Sequence, residues 1–161
     1  TLPTDTDTTL DADFKNLGFV SDDGLTNSTN LETEEIKAWG GQTVLVIQKS
    51  KDDKYKFKLI EVKNVDVLKF VYGSDNVEGD LATGIAIKVN SKEFEDVSLV
   101  IDMILSGNTA KRVVIPTCKI SELGDIEYID EDATGYETTL SCTPDSEGNT
   151  HYEYIKAPTT P

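Results

Sequence analysis

Histidine, cysteine, methionine and tryptophan are scarce: the 161 residues hold one His, two Cys, one Met and one Trp. With His151 as the sole imidazole, no base-and-orienter pair for an activated nucleophile is available. Cys118 and Cys142 lack the spacing of a metal or redox pair, and no H-E-x-x-H or Gly-rich phosphate loop occurs. Both fall in strand-like runs, where buried, reduced thiols are the expected state. No apolar run approaches the ~20 residues that span a bilayer, so no membrane segment is expected. Cations are few as well, 15 Lys and Arg against 30 Asp and Glu, for a net charge of -15. Residues 1–40 carry -7, residues 41–120 carry +1 and residues 121–161 carry -9. Such a chain has little with which to grip nucleic-acid phosphates.

What is present centres on residues 34–73. Residues 43–48 form a β-branched apolar run that favours a strand, and 43–47 is apolar on both faces, as in a strand covered on both sides. Residues 54–59 alternate strictly, with Tyr55, Phe57 and Leu59 on one face and Lys54, Lys56 and Lys58 on the other. Ser50, Lys51, Asp52 and Asp53 between them suit a hairpin turn. Asn64 then offers an N-cap and Asp66 a first-turn anion for a helix over 65–72, which Gly73 ends in a left-handed C′ conformation.

Outside that stretch, residues 1–13 are Thr- and Asp-rich and read as an arm or loop, residues 14–156 as one β-domain, and residues 157–161 as a tail. Residues 18–21 suit a short strand, 22–31 a polar loop and 33–39 an irregular or edge strand. This long excursion is functional or mobile. Trp39 before Gly40 and Gly41 favours an anchor beside a tight turn. Residues 74–83 read as a connector and 84–89 as a strand. Residues 97–105 alternate with Val97, Leu99, Ile101, Met103 and Leu105 inward, and Gly107-Asn108 turns the chain into 110–116. Residues 119–129 pair with 135–143, and 151–155 is a last strand. The fold class is mostly β: an antiparallel sandwich or barrel with one short flanking helix.

Two features carry competing readings. Asp130, Glu131, Asp132, Ala133, Thr134 and Gly135 imitate the first half of a calcium loop, but Ser141 stands where a bidentate Glu belongs. An acidic hairpin turn is the plainer reading. Lys54, Lys56 and Lys58 form either a solvated strand face or a patch that meets an acidic neighbour.

The ordered series FVSDDGL (19–25), EEIKAWGGQTV (34–44), NVDVLKFVYG (64–73) and NTHYEYIK (149–156) resembles the major tail tube protein of long-tailed, siphovirus-type bacteriophages. The resemblance implies a structural, non-enzymatic virion subunit with no cofactor, assembled in the host cytoplasm. Homohexameric rings would stack into the tube that conducts double-stranded DNA during ejection. The tape-measure protein would pass through the lumen, with tail terminator and distal tail proteins at the ends. Relatives carry a further segment before a T-L-P-like stretch. Inter-ring contacts are expected from Asp22, Asp23, Gly24, Leu25, Thr26, Asn27, Trp39, Gly40 and Gly41. Inter-subunit contacts are expected from Val44, Val46, Lys54, Lys56 and Lys58. Asp5, Asp7, Glu78, Asp80, Glu122 and Asp125 are candidates to face the lumen, where acidity would repel DNA. The alternatives are a tube subunit of a contractile or secretion injection machine, and an acidic β-sandwich that binds carbohydrate or calcium.

Overall fold

Two strands far longer than the sequence pattern implies dominate the fold. β1 (Val20–Lys37) and β2 (Thr43–Leu59) form one antiparallel hairpin in the computed structural model, which describes residues 1–128 and 135–158. The expected loop at 22–31 and the expected turn at Ser50–Asp53 are both overturned. The two segments pair across the hairpin, Thr29 with Asp53 and Asn30 with Asp52, while Leu25 pairs with Phe57 nearer the body. A strand wet on both faces needs no apolar alternation, so its sequence looks like a loop. Register shifts fall between Val20 and Leu25 and between Glu32 and Thr33.

The rest follows the expected order more closely. Helix α1 (Val65–Tyr72) is capped as its sequence dictates: Asn64 Oδ1 accepts the Asp66 amide at 2.9 Å. Gly73 has φ 96° but an extended ψ of 140°, so it ends the helix without the left-handed C′ turn. Residues 74–83, read as a connector, instead contribute β3 (Val77–Asp80), which pairs with β4 (Gly84–Ile87) in a separate two-stranded sheet. β5 (Val97–Leu105) turns at Gly107 and Asn108, both at positive φ, into β6 (Thr109–Leu123). β6 runs unbroken where two strands were expected. Pro116 is accommodated in the register shift between Val97 and Leu99, and Ser98 Oγ donates to its carbonyl at 2.6 Å. β7 (Tyr136–Cys142) and β8 (Tyr152–Lys156) complete the set.

The large sheet has the order β1-β2-β7-β6-β5, with β8 following β7 along the same edge of β6. All pairings are antiparallel and the sheet curls into half a barrel, mostly β with one helix, as the sequence indicates. Tyr55, Phe57, Leu59, Val113, Ile115, Ile120 and Leu140 pack with Val67 and Val71 of α1 to form the core. Val97, Leu99, Ile101 and Met103 join its margin, whereas Leu105 at the strand end is exposed. At roughly 25 cal/mol per Å² of apolar surface, each fully buried aliphatic side chain stabilises the fold by about 1.5–3 kcal/mol.

Residues 1–13 do not hang free. The Arg112 guanidinium is buried; it donates to both Asp102 oxygens at 2.6 and 2.9 Å and to the carbonyls of Asp5 and Thr8 at 3.2 and 2.7 Å. Lys156 pairs with Asp7, and Pro3 is buried. The N-terminal segment is therefore a strap across β6 and β8.

Candidate assembly surface

The hairpin changes character along its length. Near Leu59 it belongs to the body, because β7 pairs with Lys54–Leu59. From Thr43 to Asp53 the far edge of β2 has no strand beside it among the described residues. That half projects as an arm, about ten residues long on each strand, or ~33 Å at ~3.3 Å per residue.

Asp53 marks the root. Its carboxylate is fully buried and joins three segments: Thr29 Oγ1 of β1 donates to Oδ1, and Thr150 Oγ1, just before β8, donates to Oδ2. Lys51 Nζ lies 3.9 Å away and His151 Nδ1 3.8 Å away. Burial pushes the Asp53 carboxyl up, but the two hydroxyl donors and the nearby cations outweigh it, leaving the group below its ordinary value. His151 in turn packs edge-on against Tyr55, with ring centroids 5.5 Å apart. The sequence does hold a signal for this site: Asp53 extends the inward row Tyr55, Phe57, Leu59 by one step, and an inward carboxylate needs partners.

Beyond the root the arm is wet on both faces. Leu31, Ile36, Val44, Leu45, Val46 and Ile47 are 41–66% exposed. Ile36 opposes Leu45 and Glu34 opposes Ile47 on one face; Glu35 opposes Val46 on the other. The expectation that this run is covered on both sides fails within the chain: its own core covers neither. An apolar patch of this size on a charged arm marks an interaction surface. Glu34–Lys49 at 3.0 Å and Glu35–Lys37 at 3.8 Å are its ion pairs. At the tip the Ala38 amide donates to Gln42 O at 2.8 Å, and Gly40 and Gly41 take φ of 115° and 90°. Those angles favour glycine, and they leave Trp39 wholly exposed at 107%.

The residues singled out by sequence are divided among several places. Asp22, Asp23, Gly24, Leu25, Thr26 and Asn27 lie on β1 near the body, not at the tip with Trp39, Gly40 and Gly41. Val44 and Val46 are on the arm, whereas Lys54, Lys56 and Lys58 lie on the body's outer face, where Lys56 pairs with Glu137 at 2.8 Å. The six acidic candidates do not gather. Asp5 caps the strap's turn by accepting from the Asp7 and Thr8 amides, and Asp7 pairs with Lys156. Glu78 pairs with Lys88 at 2.7 Å, and Asp80 accepts from Ala82 and Thr83 in the β3–β4 turn. Glu122 and Asp125 are exposed at and beyond the end of β6. The calcium-like run at 130–134 lies outside the described residues, and among the described residues no metal-holding cluster occurs.

A mostly-β body carrying an apolar, unpartnered arm calls for an assembly role. The family model for phage tail tube protein matches residues 1–160. The chain belongs to the phage tail tube protein family. No curated protein matches it. Family membership makes the chain a structural component of the virion tail tube. No helix among the described residues is long and apolar enough to cross a membrane.

Proposed function

We propose that this tail tube protein is the repeating subunit of a long-tailed, siphovirus-type phage. It assembles as stacked hexameric rings around a lumen that conducts DNA and performs no catalysis. The observation that carries this reading is the arm: seven large apolar side chains, from Leu31 to Ile47 and including Trp39, stand in solvent on a stalk fixed at Asp53. A head-to-tail contact that uses different surfaces on the two copies closes into rings or extends into filaments. The arm serves the contact between rings, and the open edges of the large sheet serve contacts within a ring. Asp22 to Asn27 lie on the edge strand β1 and the lysine row at 54, 56 and 58 on the outer face of its neighbour β2, and in this reading both take flanking contacts.

The lumen follows from charge. A surface with few unpaired cations has little to hold duplex phosphates by. Asp7 and Glu78 neutralise Lys156 and Lys88, and Glu122 and Asp125 add net negative charge. Tape-measure protein and DNA pass such a wall without specific binding, while terminator and distal tail proteins cap the tube.

The test is negative-stain microscopy and light scattering of the protein over concentration and salt. Tubes or rings are expected. A strictly monomeric species under every condition, from the full-length gene product, overturns the reading.

A further inference from the structure

An elongated groove of about 1270 Å³ lies between residues 9–19, α1 and the start of β5. Its apolar floor is made by Phe14, Leu17, Phe70, Tyr72, Phe94 and Leu99, all half-buried. Small-molecule sites run to roughly 300–1,000 Å³ and are more enclosed, so an open trough of this size suits polypeptide. We infer that the groove receives the Trp39 tip of the hairpin arm from a second copy of this chain. The inference rests on the tube reading and names the surface that the arm engages.

Two observations bear on that occupant. Trp39 is untouched by its own chain, so whatever it packs against is supplied from outside. An aromatic of this kind buries about 150–250 Å² and anchors an interface when seated in a pocket. Area is sufficient: the arm's seven exposed apolar side chains offer roughly 800 Å², the share one partner contributes to a standard interface. Tip and groove are different surfaces, so the contact is head-to-tail and propagates from copy to copy.

The experiment uses the one native tryptophan and one engineered pair. Trp39 fluorescence should shift to the blue and its acrylamide quenching fall several-fold on assembly, and Phe94→Ala should reverse much of that change. In a Cys118→Ala, Cys142→Ala background, Trp39→Cys with Ser74→Cys at the groove rim should oxidise to a ladder of multiples of 17.7 kDa. Trp39→Cys alone should yield dimers at most, and Trp39→Cys with Ser146→Cys, in the distant β7–β8 turn, should yield no ladder. Tubes that form without the blue shift and without the Trp39–Ser74 ladder overturn the groove assignment and leave the tube reading intact. Absence of self-association overturns both.

Discussion

Cys118 on β6 and Cys142 on β7 stand directly opposite each other in the sheet, yet both are free thiols. Thr143 N–H donates to Thr117 O at 2.9 Å, so the cysteines occupy the neighbouring non-hydrogen-bonded position, where side chains come closest. Burial pushes the Cys118 thiol up to about 12 and the Cys142 thiol up to about 11. Thiolate, the attacking species in disulfide exchange, is therefore scarce in the folded chain.

Both thiols are accordingly expected to stay reduced. Intact mass without alkylation should show two free thiols, and iodoacetamide at pH 8 should modify the folded protein at least tenfold more slowly than the urea-unfolded one. A mass lighter by two hydrogens would contradict this. Cys118→Ala should cost about 1–2 kcal/mol through the small void it leaves.

Replacing residues 32–48 by a two-residue Asn-Gly turn should leave a folded body that no longer forms tubes. The excised half contributes nothing to the core, and shortening the connection changes closure entropy by only about 0.6 kcal/mol per halving. Thermal unfolding and negative stain read the two effects separately. A lost thermal transition would show that the arm supports the body.

Asp53→Ala should destabilise by about 1–3 kcal/mol, because Thr29 and Thr150 lose a shared acceptor in a buried place. The wild-type carboxyl titrates lower in the folded than in the unfolded chain. Its contribution is thus complete above the unfolded value of ~3.9 and is lost as pH falls through the lower folded value. Urea midpoints from pH 6 to pH 2 should fall less steeply in Asp53→Asn than in wild type; parallel curves would refute the assignment.

Arg112→Ala should free the N-terminal strap at a cost of about 1.5–3 kcal/mol, with Arg112→Lys intermediate because a lysine cannot grip Asp102 at two points. Hydrogen exchange at residues 4–9 and tryptic cleavage after Lys15 should both accelerate. Unchanged protection would mean that Pro3 and the Asp7–Lys156 pair suffice to hold the strap.

Glu122→Lys with Asp125→Lys should leave tubes intact but retard DNA passage, most at low salt where screening is weakest. These two are the acidic candidates that neither cap a turn nor close an ion pair among the described residues. Unchanged release from well-formed variant tubes would make the acidity ordinary surface solvation.

Where burial imposes a period, the sequence was legible. Tyr55, Phe57 and Leu59 announced an inward row, Asn64 announced a helix start, and Gly107-Asn108 announced the β5–β6 turn. The arm was not legible for the converse reason. Asp22 to Asn30 carries no apolar alternation because Leu25 is its one side chain packed against the core, and Lys51-Asp52-Asp53 has the composition of a turn although Asp53 is a buried acceptor. Val44 to Ile47 reads as covered, but periodicity cannot say whether the cover comes from the same chain. Trp39 was the visible clue to the tip, while Arg112 and Thr150 gave none, since their partners lie about a hundred residues away in sequence.

The hairpin also has a history in time. Phe57 O accepts from Thr138 Oγ1, 81 residues later in the chain, so β2 leaves the ribosome long before β7 exists to flank it. At about 5–20 residues per second, that interval lasts roughly 4–16 s. Through that interval, and after β7 has docked on Lys54–Leu59, Val44 to Ile47 is a free strand edge of high β-propensity, the kind of segment that nucleates aggregation. Glu32, Glu34 and Glu35 on one strand and Lys49 and Lys51 on the other border it with charge. Those side chains act as gatekeepers of the nascent subunit, holding identical newborn chains apart until each has a finished body.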